Sequence, residues 1–319
     1  MAIAVLVACI AACTAYYITS KNKKRLQRIP PRGERVLILG CSSGIGRDTA
    51  LAYAARGAKL VLFARRKELL QQLKQECENV GSPQVHFVAG DVVSMENLNE
   101  TATLLCDVMQ GVDTVIYCAG MISVRPFLEA SGITVTRRTD KTYEVSQKRT
   151  ETDLMEEALH RITDINYFAA IRAARCFLPL LIETSKMPNF IVISSMAGKV
   201  GAPTRALYAG SKHALHGFFD SLRVEIQHYG VHVGLVCPGS VATDLRHSAV
   251  DTSLGSGAIA GSRASLSARA VANRIISASD QREREVYIPA WFGYAAVYAK
   301  LFASSWVDWA ARRKYKFSN

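Results

Sequence analysis

Arg35-Val36-Leu37-Ile38-Leu39-Gly40-Cys41-Ser42-Ser43-Gly44-Ile45-Gly46 is the stretch on which the reading of this chain turns. Val36–Leu39 is a short aliphatic run of the kind that forms a buried strand, and a helical pattern starts near Arg47. Between them stand three glycines, which let a backbone turn sharply and come close to a ligand. A strand, a glycine turn and a helix N-terminus in that order leave unpaired N–H groups and a positive dipole end at one spot, a cradle for a pyrophosphate. The glycine string alone is weak evidence. In this context it predicts dinucleotide binding by Gly40, Ser42, Ser43, Gly44, Ile45 and Gly46.

Outward from that turn, strand and helix alternate. Apolar runs at Leu60–Phe63, Val85–Val88, Thr114–Tyr117, Phe190–Ser194, Val231–Val236 and Val286–Ile288 read as strands. Helical stretches lie between them, among them Arg47–Arg56, Lys67–Cys77, Met95–Met109 and Ala206–His228. This rhythm predicts an α/β fold, a doubly wound parallel sheet with helices on both faces, over residues 35–289. Ser131–Glu157 is polar and breaks the rhythm, so it is expected to be an insertion or long loop.

The 319 residues are 49% hydrophobic and 21% charged, ordinary values for a globular chain with a full core. Eight scattered cysteines, without a Cys-x-x-Cys pair, exclude a disulfide scaffold and give no metal-ligand spacing. The net charge of +12 is concentrated at the two ends. Residues 1–20 are uncharged and apolar between Ala2 and Thr19, with Tyr16 and Tyr17 near the boundary. They are expected to form a membrane anchor, a cleaved signal peptide being the rival. Residues 21–34 then read as a basic linker, and the positive-inside rule puts the rest in the cytosol. Residues 290–319 carry seven large aromatics between Trp291 and Trp309, interrupted by Lys300 and Asp308. They are expected to be an amphipathic tail that lies on a membrane or caps a cleft, with a plain core helix as the rival. Basic residues beside apolar segments suit an anionic membrane, and with no recognisable nucleic-acid motif no nucleic-acid partner is expected.

Four residues carry the chemistry. Tyr208 and Lys212 stand one helical turn apart on the same face. An ammonium beside a phenol lowers its pKa, so that the phenol can exchange a proton with an alcohol or ketone. Ser195 follows a buried strand, and Asn166 precedes both on a helix. At the end of the second strand Ala64-Arg65 stands where an acidic residue would take a ribose 2′-hydroxyl. Arg65 suits a 2′-phosphate instead, which favours NADP(H) over NAD(H). Asp91, after the third strand, can accept from an adenine amino group or cap a helix.

Gly40–Gly46, Asn166, Ser195, Tyr208, Lys212 and Pro238-Gly239-Ser240-Val241-Ala242-Thr243 together resemble the short-chain dehydrogenase/reductase family. The segments Ser194–Val200 and Ser211–Phe219 resemble its membrane-bound 11β-hydroxysteroid dehydrogenase-like members, with 3-ketodihydrosphingosine reductase as a further relative. The resemblance implies that Tyr208 is the acid in reduction, and that Lys212 tunes it and holds the nicotinamide ribose. It gives Ser195 the substrate oxygen and Asn166 a water that relays protons to Lys212. It adds Val92, Cys118, Ala119, Gly120, Pro238, Gly239, Val241 and Thr243 to the cofactor-binding set, and it puts a substrate lid at Asp244–Leu266. Two positions depart from the family pattern: Leu39 replaces a threonine and Cys118 an asparagine. The implied activity interconverts a ketone and a secondary alcohol on a lipophilic substrate, at the endoplasmic reticulum, by a possible homodimer or homotetramer. An alcohol, sterol or retinoid oxidiser is the alternative among enzymes, and a silent NADP-binding membrane adaptor the alternative outside them.

Overall fold

The computed structural model describes residues 25–243, 245, 249–251, 265–315 and 317. The expected anchor at 1–20 and most of the expected lid lie outside those residues. Seven strands form one parallel sheet: β1 (Arg35–Leu39), β2 (Lys59–Ala64), β3 (Val85–Ala89), β4 (Thr114–Tyr117), β7 (Asn189–Ile193), β8 (His232–Pro238) and β11 (Glu285–Ile288). Their order is β11-β8-β7-β4-β1-β2-β3, with every neighbouring pair parallel. These strands are apolar on both faces because both faces are covered. Leu37 and Leu39 of β1 pack into one core, with helices α3 (Met95–Met109), α6 (Ala169–Thr184) and α7 (Ala206–Glu225). Val36 and Ile38 pack into the other, with α1 (Gly44–Ala55), α2 (Lys67–Asn79) and α8 (Ala268–Gln281). The fold is the expected doubly wound α/β sheet, and all seven strands stand where the apolar runs put them. Strand order reverses between β1 and β4, which opens a crevice beyond their carboxyl ends.

The polar stretch 131–157 is not a long loop. Helix α4 (Phe127–Ala130) leads into an antiparallel hairpin, β5 (Ile133–Arg137) with β6 (Tyr143–Gln147). Asp140 closes its turn by accepting from the Thr142 amide at 2.9 Å. Helix α5 (Arg149–Thr163) follows, seated through Met155, Ala158 and Ile162 at helical spacing. It runs through a π-helical turn, Asp164–Phe168, into α6. Leu154–Thr184 is, among the described residues, the helix long and apolar enough to cross a membrane, but Ala170, Ala174, Phe177 and Leu181 commit its inner face to the core.

In the described part of the basic stretch before β1, Arg28 and Arg32 are exposed, but Arg25 is packed. Arg25 is fully buried and donates to Glu34 and Thr114 at 2.7 and 2.8 Å, with Asp280 at 3.3 Å. Arg56 ties the same two acids together, at 3.4 Å from Glu34 and 2.8 Å from Asp280. At the other end α9 (Ala290–Phe302) and α10 (Ser304–Tyr315) fold back over the carboxyl ends of the strands. Lys300 Nζ donates to the Lys199 carbonyl and Arg205 to the Tyr315 hydroxyl. Two short strands, β9 (Val241–Ala242) and β10 (Leu266–Ser267), pair beside them.

Candidate active site

Two connected clefts occupy the crevice. The first, of about 460 Å³, is lined by Gly40, Ser42–Gly46, Arg65, Arg66, Asp91, Val92 and Cys118–Gly120. Ser43 is extended at the N-cap of α1 and its side chain makes no capping bond, so the first-turn amides are free for a ligand. The glycines here are dictated by contact. Gly40 has φ +90°, and a Cβ on it would lie 2.5 Å from the Ala119 nitrogen. A Cβ on Gly46 would lie 2.2 Å from the Gly40 carbonyl oxygen. A narrow cradle with free amides at one end and guanidinium groups at the other fits a dinucleotide with its phosphates on the loop.

Arg66 is the residue that the sequence reading missed. It donates to Ser42 Oγ at 2.8 Å and to Ser43 Oγ at 2.9 Å, while Arg65 lines the same cleft. The two follow the end of β2 in succession, and a reading of the strand's end fixes no one of them. Asp91 does not cap α3. Ser94 does, and Asp91 instead accepts from the Val93 amide. The two family departures are absorbed by main chain: the Cys118 amide donates to the Leu39 carbonyl at 2.8 Å, and the Leu39 side chain is core. Burial pushes the Cys118 thiol up to about 12, so it stays protonated.

The second cleft, of about 450 Å³, holds Ser195, Tyr208, Lys212, Pro238, Gly239, Val241 and Thr243, and shares Ile45, Cys118 and Gly120 with the first. Its far wall is apolar and comes from the tail: Phe292, Ala296, Val307, Ala310 and Ala311. Each expected catalytic side chain is held by another element. Ser195 accepts from the Ala197 amide at 3.1 Å and hydrogen-bonds Tyr208. Lys212 is buried and donates to the Ile193 carbonyl at 2.9 Å. Asn166 sits on the π-helical turn, accepts from the Met121 amide, and donates to the Met121 carbonyl and Ser211 Oγ at 2.8 and 2.9 Å. Both its amide hydrogens are therefore committed.

Burial works against one electrostatic expectation. Burial raises the Tyr208 phenol above its ordinary pKa, against the pull of Ser195 and Arg205. Lys212 gives one of its three N–H donors to Ile193 and stands 5.9 Å from the Tyr208 ring centroid, and burial lowers its own pKa to about 8. Among the groups present here the phenol is therefore a proton donor and not an anion.

The model of the short chain dehydrogenase family matches residues 34–253, more than half of the chain. The chain belongs to this family. It is a dehydrogenase/reductase of the short-chain type, an enzyme class that uses NAD(P). The hydroxysteroid 11-beta-dehydrogenase 1-like protein of Xenopus tropicalis is 31% identical over 287 residues, which cover 89% of this chain and 88% of that protein. Dehydrogenase/reductase SDR family member 7B of Mus musculus is 29% identical over 85% of this chain and 78% of that protein. In fold, the chain matches a short-chain dehydrogenase of Burkholderia cenocepacia solved with NADP, at a TM-score of 0.66, 20% identity and coverage of 88% and 98%. It also matches one of Burkholderia phymatum solved with NAD, at a TM-score of 0.64, 20% identity and coverage of 80% and 89%.

Proposed function

We propose that this family member reduces a ketone on a lipophilic substrate with NADPH, reversibly, at a membrane. The observation that carries the reading is the second cleft, where Ser195 and Tyr208 face a wall built from the apolar tail. A polar reacting end and an apolar wall suit a keto-lipid or a sterol-like ketone. The steroid in the name of the Xenopus relative belongs to the same chemical class.

NADPH would lie with its phosphates on Gly40–Gly46 and its 2′-phosphate toward Arg65 and Arg66, which stand at the end of β2 in place of an acidic residue. Asp91 and Val92 would take the adenine end. Cys118–Gly120, Pro238, Gly239, Val241 and Thr243 would surround the nicotinamide end. When bound, it supplies the hydride. Ser195 donates a hydrogen bond to the substrate oxygen and stabilises the charge that develops there. Tyr208, kept protonated by burial, gives its proton to that oxygen. Lys212, fixed by Ile193, is the cation from which the phenolate left behind draws support. Asn166 locks the Met121 main chain to the helix carrying Tyr208 through Ser211.

The outer face of the tail exposes Trp291, Phe302 and Trp306, each more than 70% accessible, beside Arg312, Arg313 and Lys314. That pattern supports docking of the cleft mouth on an anionic bilayer, and with residues 1–20 as an anchor it supports a cytosol-facing enzyme of the endoplasmic reticulum. The test is detergent-solubilised protein with NADPH and a panel of hydrophobic ketones. Tyr208→Phe is expected to lower turnover by about 10²-fold or more with NADPH binding retained. Turnover that survives Tyr208→Phe would overturn the mechanism. Clear preference for NADH would overturn the cofactor assignment.

A further inference from the structure

Behind Ser195, three side chains without a part in the reaction above converge from separate elements: His216 on α7, Cys237 on β8 and Glu285 on β11. Their ligating atoms all lie within 4.8 Å of one another. Cys237 Sγ is 3.6 Å from His216 Nε2 and 3.8 Å from Glu285 Oε1. Ser194 Oγ is 3.0 Å from the same imidazole nitrogen. Ligands at ordinary bond lengths around one tetrahedral Zn²⁺ stand about 3.3–3.8 Å apart, and Cys237 Sγ already stands at that spacing from both His216 Nε2 and Glu285 Oε1. The other imidazole nitrogen, Nδ1, is buried and 3.4 Å from Glu285 with no aligned hydrogen bond.

The charges fit as well. Glu285 with a Cys237 thiolate supplies two negative charges for a divalent ion. A cation already sits on the rim: Lys199 Nζ is 2.7 Å from Glu285 Oε1. Both those side chains are about one-fifth exposed, whereas His216 and Cys237 are buried. The cluster is thus a cup, soft ligands at its base and a carboxylate at its mouth, with a flexible ammonium in the way.

We infer that His216, Cys237 and Glu285 form a binding site for a thiophilic divalent cation of the Zn²⁺ class, completed by Ser194 Oγ or a water. Binding forms the Cys237 Sγ–metal bond and releases the thiol proton to solvent, with no change of oxidation state. The site touches the catalytic apparatus on three sides. Ser194 precedes Ser195, His216 lies one turn beyond Lys212, and Cys237 precedes Pro238. A Cβ on Gly198 would press on the imidazole at 2.9 Å, so the turn after Ser195 rests directly on His216. A bound ion therefore slows turnover.

The test uses full-length protein in detergent, freed of metal by a chelator and titrated with Co²⁺ alone, then with Zn²⁺. The expected result is one Co²⁺ at this site per chain, with thiolate-to-cobalt absorption that Zn²⁺ displaces. Cys237→Ser removes that absorption and Cys106→Ser, at an exposed thiol, keeps it. His216→Gln weakens binding by about tenfold or more. Lys199→Met takes away the competing ammonium and tightens binding, a sign that a misfolded variant does not give. No thiolate absorption in the parent protein, absorption that persists in Cys237→Ser, or weaker binding in Lys199→Met overturns the inference. These readouts need no turnover, so they stand apart from the reductase reading. Where turnover is measured, Zn²⁺ lowers it and a chelator restores it, and turnover indifferent to a filled site overturns the coupling.

Discussion

Arg66→Ala separates two things that this arginine can do. It lies at the mouth of the first cleft and donates to Ser42 and Ser43, so it can hold the loop, hold a 2′-phosphate, or both. The residue is exposed, and the solvent limit of Coulomb's law applies. At about 4 Å a unit pair is worth ~1 kcal/mol in water, so a guanidinium against a dianionic phosphate contributes about 2 kcal/mol. That is a loss of roughly 30-fold in affinity for NADPH. NADH has no phosphate there and is expected to bind the variant as it binds the parent. The assay is titration of cofactor fluorescence with each nucleotide at two salt concentrations. The NADPH difference should shrink at high salt, because the contact is open to screening. Equal weakening of NADPH and NADH would refute the reasoning, since it would mean that Arg66 acts by holding Ser42 and Ser43 in place.

Gly46→Ala drives a Cβ into three backbone atoms of Gly40 and Cys41 that have nowhere to go, so it is expected to destabilise by about 1–3 kcal/mol or more and to abolish cofactor binding. Gly217→Ala, on an exposed helical face with nothing near, should instead stabilise by about 0.5–1 kcal/mol, and thermal melts of the two read the contrast. Asp113 is buried, which pushes its pKa up, but three donors of Arg35 win and hold it below the usual carboxylate value. Its stabilisation is thus present above the unfolded value near pH 4 and is lost as the pH falls through the lower folded value. Asp113→Asn should lose about 2–4 kcal/mol in urea melts at pH 7 and progressively less as the pH falls below about 4 toward the lowered folded value, and a gap that stays constant would refute the linkage.

The seven sheet strands were legible because each is short, aliphatic and buried on both faces, so no competing period obscures it. Ile191-Val192-Ile193 is a β-branched run that stops at Ser194-Ser195, the pattern of a buried strand. The hairpin was not legible, although Val135 and Val145 pair across it, because its second face is charged and no third strand buries it. Arg25 failed for a different reason. In sequence it is one of seven basic residues between Lys21 and Arg35, and its partner Asp280 is 255 positions away. Arg66 against Arg65 is a matter of one residue at a strand end, where side chains alternate between faces. The spacing of Tyr208, Lys212 and Ser195 was legible because it is local. What holds them was not: the Ile193 carbonyl takes Lys212 and the Ser123 hydroxyl takes the Tyr208 amide, from two other segments.

The same division bears on the direction proposed for the reaction. From sequence, Lys212 beside Tyr208 predicts a phenol with a lowered pKa, equally able to give or take a proton. The folded site anchors the ammonium on Ile193 through one of its donors and buries the phenol to 7% exposure. Desolvation then outweighs the hydrogen bond from Ser195 and the charge of Arg205. A phenol held protonated is an acid waiting for a developing alkoxide, the condition that reduction of a ketone requires. Oxidation of an alcohol needs the opposite, an anion at the same oxygen before the substrate arrives, and it is the state that this burial disfavours. The apolar wall supplied by Phe292, Ala296 and Val307 works in the same sense, because it removes the water that would stabilise a phenolate. The feature proposed to select a lipophilic substrate thus also keeps the proposed acid protonated.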